Sequence, residues 1–239
     1  MRRALVTGGS GALGGAICRR LAADGHHVYV HANTGMARAA AVAGEIAASG
    51  GAAEAVVFDV TDPAATGQTL EGLLASGPLQ ILVNNAGIHD DAVMPSMSHA
   101  QWSRVIDVSL NGFFNVTQPL LMPMIQTRWG RIVNVSSVSA LVGNRGQANY
   151  AAAKAGLHGA ARALAVELAS RGITVNVVAP GIIASPATEQ IFPKETIERL
   201  VPMKRAGTPD EVADLVGFLA SERAAYISGQ VVSINGAMI

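Results

Sequence analysis

The sequence predicts an α/β fold: a doubly wound, seven-stranded parallel sheet with helices on both faces. Seven short runs of the 239-residue chain are continuously apolar, as are strands that a sheet buries on both faces. Segments with helical periodicity separate these runs, and right-handed crossovers through such helices build a doubly wound sheet. No linker, internal repeat or low-complexity segment interrupts the pattern, so we expect one domain over residues 1–239.

The individual elements follow from local signals. Glycines or polar turns end the apolar runs, and glycines also end the first two helices, at Gly25 and Gly50. Pro63 stands near the start of the third helix, where the first helical turn tolerates proline. The predicted strands are 4–7, 28–32, 53–60, 79–87, 131–137, 173–181 and 228–236. The predicted helices are 12–25, 36–49, one beginning near Pro63, 99–107, 109–127, 149–170 and 209–220.

One long segment departs from the strand–helix rhythm. Residues 182–206 follow the sixth predicted strand and contain three prolines. Long irregular segments in compact domains often cover binding sites. We therefore expect a substrate lid here, in which Ile191, Phe192, Ile197 and Leu200 either cover an apolar substrate or pack a short helix onto the body.

Composition excludes several classes of protein. Half of the residues are hydrophobic and 14% are charged, and 17 basic residues balance 17 acidic ones. Zero net charge argues against a nucleic-acid-binding surface. A single cysteine, Cys18, excludes an internal disulfide and indicates a reducing compartment. The chain has no metal-binding motif, no apolar run that could span a membrane and no signal-peptide core, so we expect a cytoplasmic protein.

A glycine-rich turn follows the first strand directly. In TGGSGALG (7–14) three glycines, Gly8, Gly11 and Gly14, stand between a strand and a helix. Glycines let a pyrophosphate approach the backbone, and the helix N-terminus supplies N–H groups and a positive dipole end. In this position the pattern is typical of a dinucleotide site in a Rossmann fold.

The end of the second strand indicates which dinucleotide binds. An acidic residue there favours NAD, but this chain has Ala32, followed by Asn33 and Thr34. No carboxylate repels a ribose phosphate, and Asn33, Thr34 and His31 are candidates to bind one, with help from Arg38 or from the arginines at the N-terminus. The sequence therefore favours NADP(H) over NAD(H).

Tyr150 and Lys154 form the candidate acid–base pair. They are four residues apart in the helix-forming stretch NYAAAKAG, so both lie on one helix face. A nearby ammonium favours the phenolate, which would lower the tyrosine pKa from its ordinary value of about 10. Hydride addition to a carbonyl creates negative charge on oxygen, so a proton donor must already be aimed there.

Several sequence motifs, taken together and in their order along the chain, resemble those of the short-chain dehydrogenase/reductase family. The resemblance covers residues 3–237 and rests on TGGSGALG, DV (59–60), NNAG (84–87), SLNG, NVSSVS, YAAAK and PG (180–181). Two positions differ from the family pattern. Ala12 replaces the usual second glycine of the turn, and Gly11 stands where many NADP-dependent relatives carry a basic residue.

The resemblance implies roles for individual residues. Tyr150 would be the general acid, Lys154 would lower its pKa and hold the nicotinamide ribose, Ser137 would bind the carbonyl, and Asn111 would bind a water linked to Lys154. Ser136 and Ser139 are alternatives to Ser137, and Asn84 and Asn85 support backbone and cofactor. The implied cofactor contacts are Gly8, Ser10, Gly11, Leu13, Gly14, Asn33, Thr34, Asp59, Val60, Asn85, Ala86, Gly87, Tyr150, Lys154, Pro180, Gly181, Ile183 and Ser185.

Within the family, the chain is most similar to bacterial β-ketoacyl–acyl-carrier-protein reductases, through stretches such as GNRGQANYAAAKAGLHG (143–159) and the ending SINGAMI. NVTQPLLMPMI also resembles the aryl-polyene pathway subgroup. The resemblance implies an acyl carrier protein as partner, with Arg128 and Arg171 docking its acidic helices near the mouth of the active site. Two solvated arginines beside a helix C-terminus are the alternative.

Other functions remain open from the sequence. A short-chain dehydrogenase can act on a free alcohol, a sugar or a coenzyme A thioester. A non-catalytic dinucleotide sensor is another class, although such proteins typically lack the tyrosine or the lysine that this chain keeps. The resemblance also implies a homotetramer or dimer, assembled through the helices 109–127 and 149–170 and the last strand.

Overall fold

The computed structural model describes the backbone of all 239 residues and every side chain except those of Ala187, Glu189 and Gln190. Its centre is a seven-stranded, wholly parallel sheet in the order β3-β2-β1-β4-β5-β6-β7. The strands are β1 (Arg3–Val6), β2 (His27–Ala32), β3 (Ala52–Val57), β4 (Ile81–Asn84), β5 (Gly130–Val135), β6 (Ile173–Pro180) and β7 (Val231–Ile234). The predicted doubly wound α/β fold is confirmed.

Helices cover both faces of this sheet. One face carries α1, α2 and α10, and the other carries α3, α5 and α7. The helices are α1 (Ala12–Ala23), α2 (Met36–Ala48), α3 (Pro63–Leu74), α4 (His99–Ile106), α5 (Gly112–Thr127), α6 (Ser139–Val142), α7 (Ala148–Leu168), α8 (Pro186–Ile191), α9 (Lys194–Leu200) and α10 (Pro209–Ala220).

The apolar strands pack with a period of two. In β1, for example, Ala4 and Val6 join the core cluster under α1 and α10, whereas Leu5 joins the cluster on the opposite face. Both faces are therefore buried, which explains why the strands read as continuous apolar runs. Among the helices of the described chain, none is both long and apolar enough to cross a lipid bilayer.

The strand order places the functional site. The chain runs outward from β1 to β3, then returns to the other side of β1 and continues through β4 to β7. Loops after β1 and β4 therefore diverge and leave a crevice at the carboxyl edge of the sheet, where such folds bind ligands. The segments that follow β4, β5 and β6 open onto the same edge.

Two predicted segments differ in detail. The helices expected over 99–107 and 109–127 are joined without a break by a π-helical turn, Asp107–Asn111. The segment 182–206 contains α8 and α9 rather than irregular chain. Its ends are tied together, because Ala184 donates to the Gly207 carbonyl at 2.8 Å and Gly207 donates to that of Ile182 at 2.9 Å.

Candidate active site

The glycine-rich turn lies between β1 and α1 and is held by close backbone packing. Gly8 has a φ of 64°, a backbone conformation that residues with a side chain rarely adopt. A methyl group on Gly14 would lie 2.2 Å from the Gly8 carbonyl oxygen. Gly11 is the N-cap residue of α1, and no side chain caps that helix. Its first N–H groups are therefore presented to the crevice, in the arrangement that binds a phosphate.

Polar side chains from two neighbouring strands fix this turn. His31 Nδ1 accepts a hydrogen bond from Gly8 N at 3.0 Å, so Nε2 carries the proton and donates to the Phe58 carbonyl at 2.9 Å. Asn85 Nδ2 donates to the Thr7 carbonyl at 2.9 Å, and Thr7 Oγ1 accepts from Asn85 N at 3.0 Å. Asn85 thus supports the backbone of the turn from the β4 side.

These contacts correct the expected phosphate-binding set. His31 is buried and both its ring nitrogens are bonded, so it supports the turn instead of meeting a ribose phosphate. Burial also lowers the pKa of His31, which keeps the ring neutral. The early arginines are wrong candidates as well, because Arg2 pairs with Glu222 and Arg3 donates to the Gly77 carbonyl at the opposite edge of the sheet.

The other residues expected to bind a ribose phosphate lie after β2, as the sequence predicts. Asn33 and Thr34 are exposed, and the preceding Ala32 is buried. A methyl group on Gly35 would lie 2.9 Å from Arg38 Nε, so the Arg38 guanidinium folds back over this loop. The loop therefore carries an exposed cation and lacks a carboxylate.

Ser137, Tyr150 and Lys154 come together beyond the carboxyl end of β5. Lys154 Nζ donates to the Val135 carbonyl at 2.9 Å and lies 5.8 Å from the centre of the Tyr150 ring. Ser137 Oγ accepts from Ser139 N at 3.1 Å, which leaves its O–H to donate elsewhere. The predicted spacing of four residues in α7 does place the phenol and the ammonium side by side.

The neighbouring serines are bonded to other groups. Ser136 Oγ donates to the Lys154 carbonyl at 3.1 Å and contacts His158 Nε2 at 2.7 Å. Ser139 Oγ donates to Gln147 Oε1 at 2.9 Å. Of the three serines in this stretch, Ser137 is therefore the one whose hydroxyl borders Tyr150.

The electrostatics differ from the expectation in one respect. Burial raises the pKa of Tyr150 to about 12, and the Ser137 hydroxyl only partly opposes this. Burial also lowers the pKa of Lys154 to about 8. The expected lowering of the Tyr150 pKa by Lys154 is absent: burial raises this pKa, the Asp91 carboxylate adds to the rise, and the Lys154 ammonium is bonded to the Val135 carbonyl instead. Near neutral pH the tyrosine is a neutral phenol.

Asn111 does not lie with this cluster, which corrects its expected role. It is exposed, and its Nδ2 donates to Asp107 Oδ1 at 2.8 Å. Ser109, two positions earlier in the π-helical turn, is buried instead. Residues two apart lie on nearly opposite faces of a helix, so only one of the pair can face Lys154. Ser109 shares the inner face of this stretch with the buried residues Val105, Gly112 and Val116, which the structure shows and the residue pattern alone does not.

His89 is a second residue that the sequence analysis missed. Its ring stacks on that of Tyr150, with centroids 4.1 Å apart and planes 29° from parallel. Burial lowers the pKa of His89, although Asp91 opposes this. Gln147 Nε2 donates to Asp91 Oδ2 at 2.8 Å and thereby joins the loop after β4 to the start of α7. A polar residue soon after a strand at the carboxyl edge is the signal that would have found His89.

The remaining predicted cofactor contacts border the crevice from several loops. Asp59 and Val60 follow β3, and Asp59 Oδ1 accepts from Thr61 N at 2.8 Å. The Ser185 side chain caps α8, accepting from Thr188 N at 3.1 Å. The others lie in the turn after β1, after β4 and at the end of β6: Ser10, Leu13, Ala86, Gly87, Pro180, Gly181 and Ile183.

Comparisons with known proteins agree with this geometry. The family model described as short chain dehydrogenase matches residues 2–196. The chain belongs to the short-chain dehydrogenase family. It is 44% identical to a 3-oxoacyl-[acyl-carrier-protein] reductase of Aggregatibacter actinomycetemcomitans, with 98% of each chain aligned. It is also 44% identical to nodulation protein G of Azospirillum brasilense, over 98% of this chain and 97% of that protein. A 3-oxoacyl-[acyl-carrier-protein] reductase of Staphylococcus aureus is 42% identical over 99% and 98%.

As a short-chain dehydrogenase, the protein is an oxidoreductase that uses a nicotinamide dinucleotide. The residues present fit that cofactor. The uncapped N-terminus of α1 can receive the pyrophosphate. Gly87 leaves open the space beside Lys154, since a methyl group there would lie 2.9 Å from Nζ. When bound, the dinucleotide supplies the hydride, and the chain supplies position and a proton.

The candidate docking arginines lie elsewhere in this short-chain dehydrogenase. Arg128 Nη2 donates to the Ser170 carbonyl at 3.1 Å, so Arg128 and Arg171 do share one surface. However, Arg128 precedes β5 and Arg171 precedes β6, at the amino edge of the sheet. Helix α7 runs between this edge and Tyr150, a distance of about 30 Å at 1.5 Å per residue. The expected location near the active-site mouth of the same chain is therefore wrong.

Proposed function

We propose that this protein reduces a β-ketoacyl thioester carried on acyl carrier protein to the β-hydroxyacyl thioester, with NADPH as reductant. The observation that carries the proposal is a neutral phenol, Tyr150, buried between Ser137 and Lys154 at the ligand-binding edge of the sheet. The reductases of similar sequence named above support the choice of substrate, since they align over almost their whole length.

In the proposed mechanism Ser137, Tyr150 and Lys154 have separate roles. The Ser137 O–H donates to the substrate carbonyl oxygen and fixes it. Tyr150 gives its proton to that oxygen as negative charge develops on it, because a donor aimed at the developing charge lowers the barrier. Lys154 holds the nicotinamide ribose and supports renewal of the tyrosine proton. The raised pKa of Tyr150 suits this direction of reaction, because reduction needs the protonated phenol.

The substrate is tested by NADPH oxidation with acetoacetyl thioesters. We expect faster turnover, measured as kcat/KM, with acetoacetyl–acyl carrier protein than with acetoacetyl–coenzyme A. Equal values for the two thioesters would contradict the carrier-bound substrate. Turnover of a free alcohol or sugar alone would replace the proposal with that alternative, and no turnover of any substrate would favour a dinucleotide sensor.

We propose NADP(H) rather than NAD(H) as the cofactor. The loop after β2 is the basis: it offers the Asn33 and Thr34 side chains and the folded-back Arg38, and it has no carboxylate. A 2′-phosphate there would meet a cation and two neutral hydrogen-bonding groups, and nothing on the loop would repel it. Steady-state kinetics should therefore give a kcat/KM at least about tenfold higher for NADPH than for NADH, about 1.4 kcal/mol.

We propose that acyl carrier protein docks at Arg128 and Arg171, on condition that it delivers its substrate to a second copy of the chain. Because these residues lie about 30 Å from Tyr150 of their own chain, a carrier protein bound to them serves the crevice of a second copy. Arg128→Glu and Arg171→Glu should raise KM for the acyl-carrier-protein thioester and leave KM for the coenzyme A thioester unchanged. A change in neither KM, or an equal change in both, would remove the docking role.

A homo-oligomer is proposed from apolar side chains on the two helices expected to assemble it. Phe114 and Met122 of α5 are 63% and 60% exposed, and Val166 of α7 is 82% exposed. Apolar surface of this kind on adjacent helices is typical of an interface. Multi-angle light scattering should give a dimer or tetramer, and Val166→Glu with Phe114→Glu should shift it toward the monomer.

We also propose that residues 182–206 act as the substrate lid. The hydrogen bond between Ala184 and Gly207 joins the two ends of the segment, so the segment leaves the carboxyl edge of the sheet and returns to it as a loop. Ile191 is exposed on this loop. Ile191→Asp should raise KM for a long-chain acyl thioester more than for the acetoacetyl thioester. Equal KM changes would assign the segment to packing alone.

A further inference from the structure

His89 lies beside the proton donor with part of its ring open to the crevice. It follows β4 at the carboxyl edge of the sheet, and its ring stacks on that of Tyr150 with centroids 4.1 Å apart. The stack covers one face of the imidazole, and 59% of the side chain stays exposed. Packing against Tyr150 needs only an aromatic ring, so it gives no role to the two ring nitrogens of His89.

A chain of polar groups fixes which of these nitrogens carries the proton. The buried Gln147 donates from Nε2 to Asp91 Oδ2 at 2.8 Å, and its Oε1 accepts from Ser139 Oγ at 2.9 Å. Because a carboxylate only accepts, the Gln147 amide has a single orientation. The remaining N–H of Nε2 donates to His89 Nδ1, 3.4 Å away, so Nδ1 is the unprotonated nitrogen. The proton of the neutral ring is therefore on Nε2.

The charges around His89 support this assignment. Burial lowers the pKa of His89 and the Lys154 ammonium adds to the fall, which Asp91 only partly opposes, so the ring is neutral near pH 7. Asp91 Oδ1 lies 3.8 Å from Nδ1, too far for a hydrogen bond that would place the proton there. Among the residues that the structure describes, none accepts a hydrogen bond from Nε2. This N–H is therefore open to a ligand in the crevice.

The substrate proposed above has a second acceptor at a matching position. A β-ketoacyl thioester carries two carbonyl groups that are separated by one methylene group. In the proposed reduction, Ser137 and Tyr150 bind the β-keto oxygen. The thioester carbonyl is then held close to Tyr150, and the ring that stacks on Tyr150 is that of His89. A carbonyl oxygen accepts hydrogen bonds, and the imidazole N–H is a donor.

We propose that His89 Nε2–H donates to the thioester carbonyl of the β-ketoacyl group, and that His89 thereby selects 1,3-dicarbonyl substrates over simple ketones. This inference rests on the reduction proposed above. The thioester oxygen gains no charge when hydride adds to the β-carbon, so the bond is equally strong in the bound substrate and in the transition state. Loss of such a bond raises KM and leaves kcat nearly unchanged.

The test compares two coenzyme A ligands that differ only at this carbonyl. One is acetoacetyl–coenzyme A. The other is 3-oxobutyl–coenzyme A, the thioether in which a methylene group replaces the thioester carbonyl and the ketone is kept. Calorimetry on the protein saturated with NADP⁺, which cannot reduce either ligand, gives the dissociation constants. Initial rates with NADPH give KM and kcat for the same two ligands.

Two variants of His89 separate the donor from the ring. His89→Phe keeps the ring that packs on Tyr150 and removes the N–H donor. His89→Gln removes the ring and keeps an N–H donor. His99→Phe makes the same change at another exposed histidine, the first residue of α4, and serves as the matched control.

We expect His89→Phe to raise the dissociation constant and KM of acetoacetyl–coenzyme A about tenfold, as the loss of one hydrogen bond does, and to change those of the thioether less than about twofold. His89→Gln and His99→Phe should stay within about threefold of wild type for both ligands. An equal rise for the two ligands in His89→Phe would overturn the proposal, as would a fall in kcat with KM unchanged, which would assign His89 to packing against Tyr150. The expected binding pattern without NADPH oxidation would count against the proposed reduction and would still support the His89 contact.

Discussion

Gly14→Ala tests the packing that forms the dinucleotide turn. The added methyl would lie 2.2 Å from the Gly8 carbonyl oxygen and 2.8 Å from Asn85 Nδ2. Because contacts below 3.0 Å are not tolerated, α1 or the turn must move by at least about 0.8 Å, the difference between 3.0 and 2.2 Å. The closest obstacle is backbone, so no side-chain rotation relieves the overlap.

The expected magnitude follows from this overlap. Overpacking of this kind lowers the free energy of unfolding by about 1–3 kcal/mol, and the higher helix propensity of alanine raises it by at most about 1 kcal/mol. A net loss of about 1–2 kcal/mol lowers the melting temperature by roughly 2–8 °C in a protein of this size. The displaced turn should also weaken NADPH binding at least about tenfold.

Thermal unfolding followed by circular dichroism and NADPH titration followed by fluorescence measure both effects. Gly44→Ala is the matched control, because no atom lies within 4 Å of a methyl at that helical position. It should be neutral or stabilise by about 0.4–1 kcal/mol. If Gly14→Ala melts at the wild-type temperature and binds NADPH normally, close turn–helix packing does not form the site.

Two further predictions concern the edges of the same turn. Arg38→Ala should raise KM for NADPH about tenfold and leave KM for NADH nearly unchanged. Steady-state kinetics with both cofactors would measure this, and an equal increase in the two KM values would refute a phosphate contact. His31→Phe keeps a ring against Phe58, as in wild type where the two ring centroids are 4.1 Å apart and the planes tilted by 49°, but removes the acceptor for Gly8 N. Because burial lowers the His31 pKa, its stabilising effect is complete above the ordinary value of 6.5 and is lost as pH falls toward the lowered pKa. Acid unfolding of wild type should therefore include a step below pH 6.5 that His31→Phe lacks, and identical profiles would contradict this role.

The fold was predictable because the five inner strands are buried on both faces and are therefore largely apolar in sequence, whereas only the edge strands β3 and β7 are partly exposed. The glycine turn and the Tyr150–Lys154 spacing were predictable for a similar reason, since each depends on local geometry alone. Residues whose role depends on orientation were not. Ser109 and Asn111 differ only in which face of a π-helical turn each occupies, and a π-helical turn is not visible in the residue pattern.

The roles of the charged residues were hardest to predict. The pKa of Tyr150 is set mainly by burial, and the spacing of residues along α7 carries no information on burial. Arg128 and Arg171 do share a surface, but which edge of the sheet they occupy follows from strand direction. His31 lies next to the predicted phosphate loop, but both its ring nitrogens are bonded, to Gly8 and Phe58, and these bonds connect β2 to the segments that follow β1 and β3.

The most direct test of the proposed reduction is Tyr150→Phe. Phenylalanine preserves the ring that stacks on His89 and removes only the hydroxyl. We predict that kcat for acetoacetyl thioester falls at least about a hundredfold, the contribution of a general acid, while the NADPH dissociation constant stays within about twofold of wild type. A variant that keeps more than a tenth of the wild-type kcat would contradict Tyr150 as the proton donor.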